Sequence, residues 1–110
     1  MTDVEIIEAL LAERKRQDAL WGEQDHPDYS GSPAESPALF KWYEVAYKEW
    51  NANCVKNGTL GWESIFCEEV FEALASETPE EREKELIQVM AVAANWIQSS
   101  KRRRALAAAA

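Results

Sequence analysis

The sequence predicts an all-α protein with a four-helix bundle-like architecture. Apolar residues recur every three or four positions in four stretches, which are separated by signals typical of helix starts and ends. No stretch has the alternation of apolar and polar residues that indicates a half-buried strand. The 110 residues, 46% of them hydrophobic, are enough for one small domain. We therefore expect one helical domain over residues 1–100, followed over 101–110 by a tail that is basic and then rich in alanine.

The first helix is predicted to begin just after Thr2 and to run to about Leu20. Thr2 and Glu5 have the spacing of a capping box, in which each side chain accepts a hydrogen bond from the backbone of the other. Val4 and Ile7 then open a series of apolar residues at helical spacing. These signals indicate a helix at the start of the chain.

The second helix is predicted to follow an irregular loop that extends to Pro37. This loop, residues 21–37, is rich in Gly, Pro, Ser and Asp, which favour turns over regular structure. Ser36 has the position of an N-cap, with Pro37 at the first helical position. The apolar series runs to about Val55, and Gly58 is expected to end the helix.

The last two helices are predicted to begin at threonine caps. Thr59 is expected to cap a third helix over about 60–77. Thr78 is followed by proline at the first helical position and by glutamate at the third, which is a strong start signal. The fourth helix is predicted to run to about Ser100. The tail beyond it is either a frayed helix end or a remnant, and we assign it no function.

The charge balance narrows the choice of partners. The chain has 20 acidic and 12 basic residues and a net charge of −8. Four of the basic residues stand together at Lys101 to Arg104, so the rest of the chain is still more acidic. Such a surface repels the phosphate backbone of DNA and RNA, so we expect no nucleic-acid polymer as a partner.

The histidine, the two cysteines and the apolar runs of the chain limit the kinds of functional site and the cellular location that we expect. His26 is the single histidine, which excludes a multi-histidine zinc site. Cys54 and Cys67 lack the spacing of a redox or zinc motif, so we expect reduced thiols in a cytoplasmic protein. No apolar run is long enough to cross a membrane, and the acidic first residues do not resemble a signal peptide. We expect no association with a membrane.

An acidic segment is the main candidate for a functional site. Residues 63–85 hold nine acidic and two basic residues, and the simplest interpretation is a solvated helix face. A helical wheel at about 100° per residue argues against this, because Glu69 falls inside the apolar arc of the third helix. Glu72 lies beside that arc and Glu68 lies at its rim. Glu85 falls within the apolar stripe of the fourth helix, so these carboxylates are predicted to face inward.

The third and fourth helices are predicted to pack antiparallel with their apolar stripes facing each other. This arrangement brings Glu69, Glu72 and Glu85 together, although burial and like charge both oppose their ionisation. They either stay protonated or pair with basic residues, or they bind a hard cation. An all-oxygen cluster suits Mg²⁺, with Mn²⁺ as a substitute. The pattern alone leaves both interpretations open.

The acidic motif resembles that of a known family. Glu68-Glu69-x-x-Glu72, an interval of 12 residues and then Glu85-x-x-Gln88 resemble the EExxE…ExxD signature of the MazG-like, all-α nucleoside triphosphate pyrophosphohydrolases. The likeness extends to small phage and actinobacterial members of the family. It covers most of residues 10–100 and rests on four further segments: Glu13-Arg14-x-Arg16-Gln17-Asp18-Ala19-x-Trp21-Gly22-Glu23-Gln24, His26-Pro27, Gly61-Trp62-x-x-Ile65 and Glu85-Leu86-x-Gln88-Val89.

The resemblance implies a helical bundle that forms dimers or larger assemblies, such as tetramers. It also implies Mg²⁺-dependent hydrolysis of nucleoside triphosphates (NTPs or dNTPs) to the monophosphate and pyrophosphate. By the family pattern, the catalytic and metal-binding residues are Glu68, Glu69, Glu72 and Glu85, with Gln88 at a further metal position. Glu68 binds a further ion or orients a water molecule. Gln88 stands where the family usually has aspartate, which removes one negative charge.

Several residues outside the acidic motif are candidates for substrate binding. Trp21, together with Gln24, is expected either to contact a nucleobase or to close the end of the bundle. Arg16 and Lys48 are expected either to contact the triphosphate or to be ordinary solvated bases. Asn95 lies seven residues after Gln88, where the family commonly has an asparagine that contacts nucleotide or a metal-bound water.

The other tryptophans have predicted structural positions. Trp62 and Trp96 lie on the inner stripes of their helices and are expected in the core. Trp42 and Trp50 lie two turns apart on the second helix and are expected to face another subunit.

Three functions are compatible with the sequence. The first is a Mg²⁺-dependent nucleotide pyrophosphohydrolase. The second is a nucleotide- or metal-binding relative with little or no catalysis, because Gln88 replaces a charged ligand. The third is a helical protein-interaction module whose acidic residues only keep it soluble.

Overall fold

The computed structural model describes residues 1–31 and 35–110, so part of the predicted loop, residues 32–34, lies outside the described residues. The described chain contains four helices, α1 (Asp3–Trp21), α2 (Ser36–Asn57), α3 (Trp62–Ala75) and α4 (Pro79–Ala109). No strand occurs in this part of the chain. The all-α prediction is therefore confirmed.

The predicted starts of α1 and α4 are confirmed by their hydrogen bonds. The Glu5 amide donates to Thr2 Oγ1 over 3.2 Å, and the Thr2 amide donates to Glu5 Oε1 over 3.2 Å. These two bonds form the predicted capping box of α1. At the start of α4, the Glu81 amide donates to Thr78 Oγ1 over 3.2 Å. Both threonines therefore satisfy backbone donors that a helix start leaves unpaired.

The predicted caps of α2 and α3 are wrong. Ser36 is the first residue of α2, and Glu35 stands at the N-cap without a side-chain hydrogen bond. Thr59 does not cap α3, because its amide donates to Cys54 O over 2.8 Å and thereby closes the end of α2. Gly58 permits this closure by adopting a left-handed conformation, with φ of 69°. Gly61, in an extended conformation, then precedes the start of α3.

Two helix ends also differ from the predictions. α3 ends at Ala75 rather than at about Glu77, and the Ser76 hydroxyl donates to Glu72 O over 3.0 Å. α4 continues beyond Ser100 and ends at Ala109. The predicted tail is therefore part of the helix, because arginine and alanine have high helix propensity.

The chain divides into two compact units. One unit comprises Met1–Asp28 together with Ala94–Ala110, and the other comprises Tyr29–Ala93. Within the first unit, the Gln98 side-chain amide donates to Asp3 Oδ1 over 2.8 Å. This bond connects the start of α1 to the later part of α4.

The core of the Tyr29–Ala93 unit is the packing of α2 against α3. Phe71 of α3 stacks on Tyr43 and Tyr47 of α2, with ring centroids 5.2 and 5.4 Å apart. Phe40 stacks on Phe71 at 6.3 Å and on Tyr29 at 6.2 Å. Aromatic rings thus form a continuous row between the two helices, which buries apolar surface and holds α3 in place.

A buried polar pair sets the register between the same two helices. Asn51 of α2 and Ser64 of α3 are both buried. The Asn51 side chain donates to Ser64 O over 3.1 Å, and the Ser64 hydroxyl donates back to the Asn51 side-chain oxygen. A sliding movement of one helix along the other would leave these groups buried without partners, which is costly.

The turn between α3 and α4 is held by Tyr29 and Arg82. The Tyr29 hydroxyl donates to Leu74 O over 2.7 Å and accepts from Arg82 Nε over 3.0 Å. A second guanidinium nitrogen of Arg82 donates to Ser76 O over 2.9 Å. The guanidinium also lies 5.0 Å from the centroid of the Tyr29 ring. These contacts fix the position of the first turns of α4 relative to the end of α3.

The predicted direct packing of α3 along α4 is replaced by a looser arrangement. Among the described residues, no helix pair approaches at the backbone as extensively as α2 and α3 do. The side chains of Glu69 and Glu72 on α3 approach that of Glu85 on α4, and a cleft is lined by residues of both helices together with α2.

Candidate metal centre

Three glutamates converge between α3 and α4. Glu69 and Glu72 are three residues apart on α3 and therefore lie on one face of that helix. Glu85 comes from the second turn of α4. One carboxylate oxygen of each residue lies within 4.8 Å of the others, and all three side chains are half-buried. The structure thus brings these three glutamates together, as the sequence predicts.

Two oxygens of this cluster are fully buried without a hydrogen-bond partner in the described structure, Glu69 Oε2 and Glu85 Oε2. Burial raises the pKa of Glu69 to about 7, and the negative charges of Glu72 and Glu85 act in the same direction. A buried polar atom without a partner requires an explanation, and an ion is one of the usual ones. The cluster therefore has both unused ligand atoms and uncompensated charge.

A lysine from α2 compensates part of this charge. Lys48 Nζ lies 3.2 Å from Glu72 Oε1 and 3.7 Å from Glu44 Oε2. Burial lowers the pKa of Lys48, but its hydrogen bond to Glu72 and the nearby carboxylate charges outweigh this effect and raise the pKa overall. Lys48 therefore stays protonated and acts as a counter-ion for the cluster.

The cluster opens into a cleft of about 760 Å³. The size is within the range of small-molecule sites. Its wall combines residues of α2, the end of α3 and the first turns of α4: Pro37, Ala38, Lys41, Glu44, Glu72, Ala75, Ser76, Glu77, Glu81 and Glu85. The cleft is accordingly polar and rich in charge, with Glu72 and Glu85 exposed to any ligand inside it.

The predicted metal-binding residues fall into two groups in the structure, those inside the cluster and those outside it. Glu69, Glu72 and Glu85 come together, and Lys48 joins them through Glu72. Glu68 is half-buried on α3 but lies outside the group of three, and Gln88 is exposed on α4. The centre thus has three carboxylates in contact range and two further candidates nearby in sequence.

The remaining predicted substrate-binding residues belong to the other compact unit. Trp21 is 58% exposed, and Gln24 and Asn95 are also exposed. Arg16 Nη2 pairs with Glu13 Oε1 at 2.6 Å, which holds its guanidinium against its own helix. The roles predicted for these four residues in substrate binding stay predictions. Trp62 and Trp96, expected in the core, are half-buried rather than enclosed.

Sequence reasoning missed Glu44 and Lys41. Glu44 is only 5% exposed, which is rare for a carboxylate, and it lines the cleft. Lys41 Nζ lies 2.8 Å from Glu44 Oε2. A signal was present in the sequence, because Glu44 has a lysine three residues before it and Lys48 four residues after it. Both spacings place oppositely charged side chains side by side on a helix.

The donor set fits a hard divalent cation. Three carboxylates supply only oxygen ligands, which Mg²⁺ and Mn²⁺ prefer, and two of the oxygens have no other partner. Lys48 neutralises one of the three charges, so protonation or pairing alone leaves the cluster with net negative charge. The half-burial of the three side chains distinguishes the cluster from a fully solvated acidic face, and its oxygens have the chemistry of a site for a hard cation.

Comparison with known proteins leaves the family open: no protein-family model, no curated protein and no solved structure matches the chain. The resemblance to the MazG-like enzymes accordingly depends on the sequence motifs and stays a prediction. Among the described residues, no helix is both long enough and apolar enough to cross a membrane.

Proposed function

We propose that the protein is a Mg²⁺-dependent nucleotide pyrophosphohydrolase that converts NTPs or dNTPs to the monophosphate and pyrophosphate. The observation that carries the proposal is the convergence of Glu69, Glu72 and Glu85, with two buried carboxylate oxygens that have no partner. The MazG-like motif supplies the reaction class. The two free cysteines are consistent with a cytoplasmic location for this activity.

The three clustered glutamates would hold the cation, with Mn²⁺ as a substitute for Mg²⁺. When bound, the cation would neutralise charge on the phosphate oxygens and lower the pKa of the attacking water. A carboxylate oxygen of Glu68 or Glu72 that does not bind the cation would accept a proton from that water. The water oxygen would bond to the α-phosphorus while the bond from that phosphorus to the bridging oxygen breaks, and pyrophosphate would leave.

The cleft is the proposed binding site for the phosphates of the substrate. Lys41 supplies positive charge at the wall formed by α2, and Lys48 pairs with Glu44 and Glu72, which also line the cleft. Lys48 becomes available to a phosphate oxygen when Glu72 is engaged by a cation. Gln88, as an exposed neutral residue, supplies an amide oxygen where the family motif has a carboxylate. Trp21, Gln24, Arg16 and Asn95 are proposed to contact the nucleotide on the grounds of the motif alone.

The proposal is tested by incubating the protein with a panel of NTPs and dNTPs with Mg²⁺ and resolving the products. We expect monophosphate and pyrophosphate, and we expect Glu72→Gln and Glu85→Gln each to lower the rate by at least roughly 10- to 100-fold. Glu83→Gln removes the same charge from an exposed position of α4 and serves as the matched control. Nucleotide binding without turnover would favour the binding protein, and neither binding nor turnover would favour the interaction module.

We further propose that the protein forms a dimer or a tetramer through the outer face of α2. Trp42 and Trp50 are 67% and 58% exposed, and Val45 between them is also exposed. A groove of about 440 Å³ runs along this face and is lined by Trp42, Val45 and Ala46 among others. Large apolar side chains grouped on one face are typical of an interaction surface.

A further inference from the structure

Lys48 is shared between two carboxylates that differ in their surroundings. Its Nζ lies 3.2 Å from Glu72 Oε1, in the glutamate cluster, and 3.7 Å from Glu44 Oε2. Glu44 is buried on α2, and the same oxygen of Glu44 also pairs with Lys41 at 2.8 Å. Two lysines therefore compete for Glu44, while Glu44 and Glu72 compete for Lys48.

We propose that Glu44 is a positioning residue that sets how strongly Lys48 competes with a divalent cation for Glu72. This inference rests on the proposed function, in which Glu72 is a cation ligand. A lysine ammonium and a divalent cation at the same carboxylate repel each other, so Lys48 opposes cation binding while it is paired with Glu72. Glu44 offers Lys48 an alternative partner within the same side-chain reach.

The physical reason is that both carboxylates attract the ammonium of Lys48, which is otherwise exposed to solvent. If a cation takes Glu72 and Glu44 is present, Lys48 keeps a counter-ion, because Glu44 Oε2 is already within 4 Å. Without Glu44, an ammonium displaced from Glu72 has only solvent and the weaker attraction of Glu68. Displacement then costs an ion pair that nothing replaces, so Lys48 would hold Glu72 more firmly.

The same geometry prepares the cleft for an anionic ligand. Once Glu72 is engaged by a cation, Glu44 remains with both Lys41 and Lys48, and this group of three carries a net positive charge. All three residues come from α2, and Lys41 and Glu44 line the cleft. Cation binding at the cluster thus leaves a net positive charge on α2 beside the cleft.

The experiment is a thermodynamic cycle for Mn²⁺ binding to the full, metal-stripped chain without nucleotide, measured by titration calorimetry. Glu44→Gln is expected to weaken Mn²⁺ binding by about threefold to fivefold, the change expected for one ion pair in which the lysine is exposed. In a Lys48→Gln background, the same Glu44→Gln change is expected to alter Mn²⁺ binding by less than about twofold. Lys41→Gln is the matched control and is expected to leave Mn²⁺ binding unchanged or slightly tighter, because Glu44 is then free for Lys48.

The outcomes separate the inference from the function on which it rests. If the unaltered protein binds no Mn²⁺, the proposed metal centre itself fails. If it binds Mn²⁺ and Glu44→Gln weakens binding equally in both backgrounds, Glu44 acts only as a distant charge and the positioning role is overturned. If Glu44→Gln does not fold, as judged by circular dichroism, Lys48→Gln alone decides: tighter Mn²⁺ binding supports the competition, and unchanged or weaker binding overturns it.

Discussion

Glu69 carries an electrostatic cost that its surroundings do not remove. One of its oxygens is buried without a partner, and Glu72 and Glu85 add like charge at close range. Burial first and these charges second raise the pKa of Glu69 to about 7. Lys48 pairs with Glu72 rather than with Glu69, so the compensation is indirect. The folded protein therefore resists ionisation of this residue.

Glu69→Gln is expected to raise the free energy of unfolding by about 1–3 kcal/mol at pH 8 in the presence of a chelator. The folded pKa lies above the ordinary value of 4.5, so the folded state holds the proton more tightly than the unfolded state does. Stability is accordingly highest below about pH 4.5 with respect to this group and falls as the pH rises through 7. Urea unfolding at pH 5 and pH 8 measures the difference, which should be several-fold smaller at pH 5.

Glu83→Gln is the control for this measurement, because it makes the same substitution at an exposed position of α4. We expect it to change the stability by less than about 0.5 kcal/mol at either pH. A gain from Glu69→Gln that is equal at pH 5 and pH 8 would contradict the assigned cause, since only ionisation distinguishes the two conditions.

At the residue scale, the wheel positions predicted which glutamates meet. Glu69 lies within the apolar arc of α3 and Glu85 within the stripe of α4, and the periodicity of a helix is enough to see this. Glu44 was not predictable in the same way, because its burial depends on how α2 packs against α3. The periodicity of one helix contains no information about its packing against a neighbouring helix. Which lysines lie near the cluster therefore depends on tertiary packing.

At the element scale, the pairing of α2 with α3 depends on Asn51. Asn51→Ala is expected to lower the free energy of unfolding by about 1–3 kcal/mol, because it leaves the buried groups of Ser64 without their partner. Asn53→Ala makes the same change at an exposed position of α2, two residues away, and should leave the stability unchanged or slightly raise it, because alanine has the higher helix propensity. Urea unfolding followed by circular dichroism compares the two, and equal changes would show that the hydrogen bonds of Asn51 do not contribute to stability.

Helix boundaries were predictable where a side chain alone forms the cap. Thr2 and Thr78 satisfy this condition, since their hydroxyls accept from amides three residues ahead. Thr59 does not, because the left-handed Gly58 directs the Thr59 amide back to the end of α2. A threonine after a helix-ending glycine thus has two competing uses, and the local sequence does not tell which one prevails.

At the scale of the whole molecule, the described chain exposes many large apolar side chains on three helices. We expect sedimentation velocity to find a dimer or a larger assembly. Replacing Trp42 and Trp50 with Gln is expected to weaken the association by at least about tenfold, because tryptophans often dominate interface energies. Leu106→Gln, at a residue 71% exposed near the end of α4, is the control. Equal effects of the two variants would argue against the α2 face as the interface.

The all-α class was predictable from the sequence because every long periodic stretch has the helical period. The division into two units was not, because it depends on contacts between the two ends of the chain. Gln98 meets Asp3 across most of the sequence, and no local pattern around either residue indicates this partner. Long-range pairing of this kind comes only from the packing of the whole fold.

The two units differ in how a cut in the chain would affect them. The unit that holds the glutamate cluster is continuous, from Tyr29 to Ala93, whereas the other unit needs Ala94–Ala110 to complete what Met1–Asp28 begins. A cut within α4 after Ala93 therefore leaves every residue of the cluster-bearing unit on one piece and separates the two segments of the other unit. Since a continuous unit keeps all its internal contacts, the glutamates are expected to stay together after such a cut, whereas the other unit is expected to open.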